Sequence, residues 1–434
     1  MSRHPDAGLG AGGRGRPAPT PEATVTMRRI LIATVGESTG DDAVRTLLPL
    51  IAVTILGVGG GLLGLLNALP FLWYLCAHRQ IGASVDALGH RRAIMLGNGL
   101  RILTVGALIL LLAVGHLSAP VLLVVAALLG LGDALFTTGH SAMVPAIVGR
   151  ERTADCYQRI EAVSAIARVS GPAAVSALLR VAAPAAALAL GVVAYLLSLS
   201  TLATLPRPEA AGPAPAAASA SAPTPELTEW TVRRVLTTRG LGHLTLATTL
   251  LNAAAMISGT ALVLFALETL GLPPAMVALF AAAGALGALL GAAGSRPLRT
   301  HLPTGAAKLL ATTGVALSSL LAPAALLVPT GQSVLIGVGE LMVALCATIS
   351  MIIGSDVPAR LVPQSHLGRA FAAIRLLTIG VMPLASVLGG LIIAATSPLA
   401  ALLVAAGVAA LACLPLARVR HWSPPGPADA APGT

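Results

Sequence analysis

The chain has 434 residues, of which 56% are hydrophobic, 10% charged and 3% aromatic, with a formal net charge of +10 and a mean hydropathy of +0.87. A water-soluble surface keeps roughly a quarter of its residues charged, so ordinary cytosolic enzymes, disordered chains and small secreted proteins are excluded, and most of this surface must face lipid. The basic balance does not indicate nucleic acid either, because the basic residues fall between apolar stretches and aromatics are too few to stack bases.

Residues 1–29, rich in Gly, Pro, Arg and Thr, lack an apolar core and read as a disordered cytoplasmic tail. A spanning helix needs about 20 apolar residues. Six such stretches follow, near Ile30–Leu56, Gly60–Ile81, Ala93–Val114, Val121–Ala142, Cys156–Leu179 and Ala185–Leu205, defining an N-terminal six-helix bundle over residues 30–205. Residues 206–243 form a cytoplasmic linker: the Pro/Ala/Ser tract Pro206–Glu226, then a short basic helix on the membrane surface near Thr228–Thr238. Six further stretches, near Leu244–Leu267, Met276–Ala293, Leu309–Val328, Val334–Ile353, Ala370–Ala394 and Pro398–Leu416, define a second bundle over residues 244–416, and 417–434 form a cytoplasmic tail. Cys76, Cys156, Cys346 and Cys413 are scattered in or beside these stretches and read as packing residues.

Twelve spans place both termini on one side. Of the 27 Lys and Arg residues, 22 fall in the segments on that side and only Arg180 on the other, which marks the terminal side as cytoplasmic and the location as the cell membrane. The halves also echo one another: Val144-Pro145-Ala146 after span 4 recurs as Val357-Pro358-Ala359 after span 10. The expected fold is therefore all-α and polytopic, with twelve transmembrane helices in two pseudo-symmetric six-helix bundles and a substrate site between them near the midplane.

A charge at the centre of a spanning helix costs roughly 2.5–3.5 kcal/mol on insertion scales, so the ionisable residues inside spans are the candidate site. In span 1, Glu37, Asp41 and Arg45 are spaced by four and share a face, with Asp42 about 100° round. Asp41 lies about 18 Å along the helix from Arg29, near mid-bilayer. Asp41 and Arg45 at i, i+4 form either a static pair fixing helix packing or a pair that opens to let a proton or cationic group compete. In span 4, Asp133, Thr137 and His140 share a face, His140 being a candidate proton relay or a satisfied hydrogen-bonding residue. Glu340 in span 10 is the deep acid of the second half. Asp41, Asp42, Arg45, Asp133, His140 and Glu340 are thus the expected proton-coupling and cavity residues. Arg101, Arg168 and Arg375, in spans 3, 5 and 11, are the expected buried charge partners, with Glu161 and Arg168 seven apart on one face of span 5.

The 2–3 connection, Gly82 to Arg92 (GASVDALGHRR), resembles the loop signature G-x-x-x-D-R-x-G-R-R of the major facilitator superfamily. Gly82, Asp86, Gly89 and Arg91 match by position, Ala87 and His90 replace two arginines, and Arg92 adds one. In that family the loop is a conformational latch, with the Asp pairing to neighbouring helix ends. Gly171-Pro172 in span 5 resembles the core of the family's antiporter motif, which kinks that helix, although Ala167, Val175 and Ser176 replace the flanking glycines. The stretch Val362–Arg369 (VPQSHLGR), with Gly389-Gly390, Gly40-Asp41 and Gly284-Ala285-Leu286-Gly287, is similar to the drug-efflux branch that includes macrolide and enterobactin exporters. The resemblance implies the major facilitator fold, rocker-switch alternating access, a cavity lined by helices 1, 4, 7 and 10, and export driven by proton antiport.

The expected function is secondary active export of a drug, antibiotic, siderophore or other hydrophobic metabolite. The alternatives are a proton-coupled importer of the same fold and a non-transporting membrane scaffold or sensor. An enzyme is not expected: the chain has no P-loop, no H-E-x-x-H and no nucleophile elbow, and the missing nucleotide site points to secondary rather than ATP-driven transport. No metal or other cofactor is expected. The partners are the lipid bilayer, protons and a small-molecule substrate, and a monomer is expected to suffice.

Overall fold

The computed structural model describes residues 21–148, 153–205, 231–363 and 366–424. The linker tract Pro206–Glu226, Trp230, residues 1–20 and 425–434 of the tails, and Gln364 and Ser365 lie outside the described residues. In the first half the helices are α1 (Pro21–Thr54), α2 (Gly60–Cys76), α3 (His78–Leu88), α4 (His90–Ala113), α5 (Ala119–Val148), α6 (Thr153–Val181) and α7 (Pro184–Ala203). A short α8 (Val232–Thr237) precedes α9 (Leu241–Leu264), which a π-turn extends over Phe265–Thr269, then α10 (Pro274–His301), α11 (Thr304–Ser318) and α12 (Leu321–Ala324). The chain closes with α13 (Gln332–Ile352), α14 (Val357–Leu361), α15 (Leu367–Ala395), α16 (Pro398–Leu411) and α17 (Cys413–Arg418).

The protein is all-helical and polytopic. Among the described residues, ten helical stretches are long and apolar enough to cross a membrane, and α2 with α3, bent by 71°, makes an eleventh. Helix α1 is long enough but carries Glu37, Asp41, Asp42 and Arg45. With it, the helices are consistent with twelve passes.

Both halves use one packing plan. In the first, α1 lies against α6 and α7, α5 against α2 and α4, and α4 against α7. In the second, α9 lies against α15 and α16, α13 against α10 and α11, and α11 against α16. Each pairing in one half has its counterpart in the other, which gives physical form to the repeat seen at Val144 and Val357.

The halves meet through α2 against α15 and α6 against α10. In lipid no hydrophobic driving force holds helices together, so close approach depends on small residues and polar contacts. A Cβ on Gly64 would lie 2.5 Å from the Ser386 carbonyl oxygen and 2.9 Å from the Gly390 Cα, so only glycine permits this contact. Across the same seam Ser386 donates to the Gly64 carbonyl (2.9 Å), Asn67 to Thr260 (3.3 Å), and Ser176 to the Ala275 carbonyl (2.8 Å). These hydrogen bonds hold the two halves together in the part of the molecule away from the termini.

Several elements differ from the sequence expectation. Helix α1 begins at Pro21, inside the stretch expected to be a disordered tail. Span 2 breaks after Cys76, where α3 turns by 71° from α2. Span 9 breaks after Ser318, leaving the one-turn α12 with Pro323 inside. The basic helix is shorter than expected and is docked: Val235 is buried among Leu241, Leu244, Val357, Leu416 and Val419, while Arg233 and Arg234 stay exposed. The start of the C-terminal tail is docked too, with the Gly305 N–H donating to the Trp422 carbonyl at 3.0 Å.

Candidate functional site

The site is built around one buried cation. Arg101 on α4 is fully buried, and its guanidinium meets three acids: Asp133 on α5 at 2.9 Å, and Glu37 and Asp41 on α1, each at 3.4 Å. The ring of Phe136 lies 5.2 Å from the guanidinium carbon and that of Tyr195 5.4 Å, so aromatic faces cover the cation where carboxylates do not. Room for this comes from Gly132 on α5, where a Cβ would sit 2.7 Å from the Arg101 Cγ. Gly40 likewise leaves space for the Tyr195 ring, whose hydroxyl donates to Asp41 Oδ1 at 2.6 Å.

Each acid has further donors. Asp133 accepts from Tyr74 (2.9 Å), Arg45 (3.3 Å) and Thr137 (3.4 Å), and Glu37 accepts from Ser38 (3.4 Å). Asn98, one turn before Arg101, accepts from its guanidinium at 3.4 Å and donates to Ser198 at 2.9 Å, tying α4 to α7. Three carboxylates therefore share two guanidiniums, so the cluster holds one negative charge in excess when every acid is ionised. Glu37, Asp41 and Asp133 offer oxygen atoms all within 4.8 Å of one another, a spacing that could hold a metal ion. In this structure the Arg101 guanidinium stands among them.

A cavity of about 490 Å³ lies beside the cluster, between the halves. Asp41, Asp42, Arg45 and Asp133 reach it from the first half and Glu340 from the second, with an apolar lining that includes Leu66, Phe71 and Met256. The Arg45 side chain is 60% exposed, so it links the Arg101 cluster to the cavity. Among the described residues neither Asp42 nor Glu340 has an ion pair.

The sequence profile of the Major Facilitator Superfamily matches residues 30–374, most of the chain. The chain belongs to the major facilitator superfamily. No curated protein sequence matches it. Its structure is similar to a bacterial homologue of the iron transporter ferroportin in an inward-facing state, at TM-score 0.67 and 14% identity over 91% of this chain and 98% of that one. It is similar to the nucleoside transporter NupG at TM-score 0.68 and 12% identity, again over 91% and 98%. It also resembles a bacterial homologue of the human lysosomal transporter Spinster, inward-facing and unoccupied, at TM-score 0.64 and 14% identity over 94% and 100%. At these identities the likeness is one of fold; membership of the family, with the long apolar helices, makes the chain a multi-pass membrane protein.

Within this major facilitator fold, the residues expected to form the site separate into those the helices bring together and those they do not. Asp41, Asp42, Arg45, Asp133 and Glu340 converge on the cavity, and Arg101 lies behind it. The Asp41–Arg45 pair expected from spacing is the longest ion contact of the cluster, 3.9 Å, because Arg45 turns toward Asp133 and Asp41 toward Arg101. His140 does not reach the cavity lining: it stacks on Phe136 with ring centroids 5.4 Å apart. Arg168 is not a buried partner, since its side chain is 48% exposed, lines the cavity and pairs with Glu161 at 3.3 Å. Arg375 is exposed on α15 and has no ion pair among the described residues, so its expected burial is corrected as well.

The latch residues are also rearranged. Gly82 and Asp86 lie on α3 rather than in a loop, and Asp86 is exposed without an ion pair among the described residues. Gly89, at φ 81°, makes the turn into α4. Arg92 is exposed, while Arg91 donates to the Ala203 carbonyl at 2.6 Å and Arg29 to the Thr204 carbonyl at 2.7 Å. Two cations thus meet the C-terminal carbonyls of α7, where the helix dipole favours them. Helix α6 runs unbroken through Pro172, and Gly171 faces α1, where a Cβ would lie 3.4 Å from the Asp42 Cβ.

Tyr195, Asn98 and Tyr74 complete the site and were not singled out from sequence as site residues. Tyr195 is one of only three tyrosines, set in an otherwise apolar span, and Asn98 precedes Arg101 by three. Those were the available signals.

Proposed function

We propose that the protein is a proton-coupled antiporter of the cell membrane, with both termini in the cytoplasm, exporting a drug, antibiotic, siderophore or other hydrophobic metabolite by alternating access as a monomer. The observation that carries this reading is the charge balance at Arg101: three carboxylates against two guanidiniums, bordering a largely apolar cavity. One proton neutralises the cluster. In low dielectric an uncompensated charge is costly and its neutralisation correspondingly favourable, so proton occupancy and the arrangement of α1, α4 and α5 must be linked. A ligand shifts a two-state equilibrium by its differential affinity for the two states, and the proton is that ligand here.

On this reading the cavity between the halves opens to the cytoplasm in one state and takes up substrate there. Reversal exposes Asp41 and Asp133 to the outside. A proton taken up there returns with the carrier and is released to the cytoplasm as the next substrate enters. The apolar lining suits a hydrophobic body, and Asp42, Arg45, Arg168 and Glu340 supply polar anchors.

The test is accumulation of a compound panel in cells expressing the wild type or Asp41→Asn, with and without a protonophore. Wild-type cells should hold less of at least one compound until the protonophore is added, and Asp41→Asn cells should match cells without the transporter although the variant is folded and inserted. Protonophore-sensitive efflux of wild-type strength in Asp41→Asn would overturn the assignment. Uptake driven by an inward proton gradient in proteoliposomes would show an importer instead.

A further inference from the structure

Away from the cleft, the second bundle encloses another cavity, of about 180 Å³, bordered by α9, α11, α13 and α16. Lys308, the only lysine of the chain, lies in its wall and is 2% exposed. Its Nζ donates to the backbone carbonyl of Ser350 in the last turn of α13. Among the described residues no carboxylate pairs with it: Asp356 is held by Arg360 at 2.8 Å, and Glu340 lines the central cavity.

An ammonium has three donors, and one is used. The end of a helix offers about half a negative charge, which offsets part of a full positive charge buried where desolvation costs several kcal/mol. The ammonium borders a cavity whose wall also carries Thr348, whose hydroxyl has no hydrogen bond among the described residues, and Asn252, whose amide spends one N–H on the Thr378 carbonyl at 2.8 Å and keeps the other. A water has a share of about 30 Å³ in the liquid, so the cavity has room for an ion with part of its hydration. Two of its helices, α9 and α13, also wall the central cavity through Met256 and Glu340.

We propose that this cavity binds a small monovalent inorganic anion of the size and charge of chloride, with the Lys308 ammonium as its cation and the Thr348 hydroxyl and the second Asn252 amide N–H as further donors. The anion neutralises the second bundle's buried charge and ties α11 to α13. It is separate from the Arg101 cluster and does not depend on the direction or coupling of transport.

The experiment uses the full-length protein in detergent micelles. Thermal unfolding is followed as chloride replaces gluconate at constant ionic strength, and radioactive chloride binding is measured by equilibrium dialysis. The wild type should gain about 2 °C or more in midpoint, saturably, and bind one chloride per chain. Lys308→Met should show no halide dependence and lose that ion. Wild-type protein that binds less than a tenth of an ion per chain, or whose midpoint is the same in both salts, overturns the proposal, as does a chloride effect that survives in Lys308→Met. If Lys308→Met fails to fold, the wild-type stoichiometry and a bromide anomalous peak next to Nζ in crystals of the wild type decide it, absence of the peak counting against the site.

Discussion

At Arg101 a single side chain joins helices α1, α4 and α5, with Tyr195 of α7 against its face. Removing one member of a buried ion network leaves its partners uncompensated, at a cost of about 3–5 kcal/mol. Arg101→Met should therefore lower the unfolding midpoint sharply, whereas Arg168→Met, at an exposed pair with Glu161, should change stability by less than about 1 kcal/mol. A thermal scan of the two variants side by side checks the contrast, and equal losses would contradict the burial argument. Tyr195→Phe removes one hydrogen bond to a charged acceptor, worth about 1.5–3 kcal/mol, so its loss should fall between the two. That Arg101 needed a partner was legible from its depth in an apolar span. Which acids it meets was not, because Glu37, Asp41 and Asp133 reach it across gaps of 64, 60 and 32 residues. Spacing rules see only neighbours on one helix, and for that reason they favoured the Asp41–Arg45 pair. They also put His140 on the face of Asp133, which is true along the helix, but seven residues carry it beyond the cavity to Phe136.

Among the elements, α2 and α15 form the seam that closes the molecule away from its termini. Their contact relies on Gly60, Gly64 and Gly390, so a leucine at Gly64 would force the helices apart at an overpacking cost of about 1–3 kcal/mol. Gly64→Leu should shift the population away from the arrangement described here by about 5- to 150-fold. The measurement is the distance between spin labels placed at Gly61 on α2 and Thr396 just after α15, which should lengthen in the leucine background, and an unchanged distance would show that the seam does not limit opening. The order of apolar segments was legible because most are long and apolar enough to cross a bilayer, and the helices are consistent with the expected twelve. Their ends were less so. Helix α1 extends back to Pro21 through polar residues that hydropathy discounts, and the break after Ser318 leaves no gap in the apolar run. The helical content of Gly82–Leu88 cannot be read from a loop signature that describes a turn.

For the whole molecule, the repeated pairing plan makes the two bundles near-equivalent in architecture and unlike in charge. The first carries the Arg101 cluster, while Glu340 is the one charged residue that the second brings to the central cavity lining, and Lys308 is held aside. Such a division suits a carrier in which one bundle senses protons and the other completes the cavity. Net proton movement is the most direct test of whether the cluster performs the coupling. Purified wild type and Asp41→Asn are placed in liposomes holding a pH-sensitive dye, with a substrate identified from the efflux panel, and proton flux is followed as a substrate gradient is imposed. The wild type should move protons against the substrate flow, and Asp41→Asn, fixed in the neutral form of the cluster, should still exchange labelled for unlabelled substrate while moving no protons. Proton movement in Asp41→Asn at the wild-type rate would contradict the assignment of coupling to the carboxylates around Arg101.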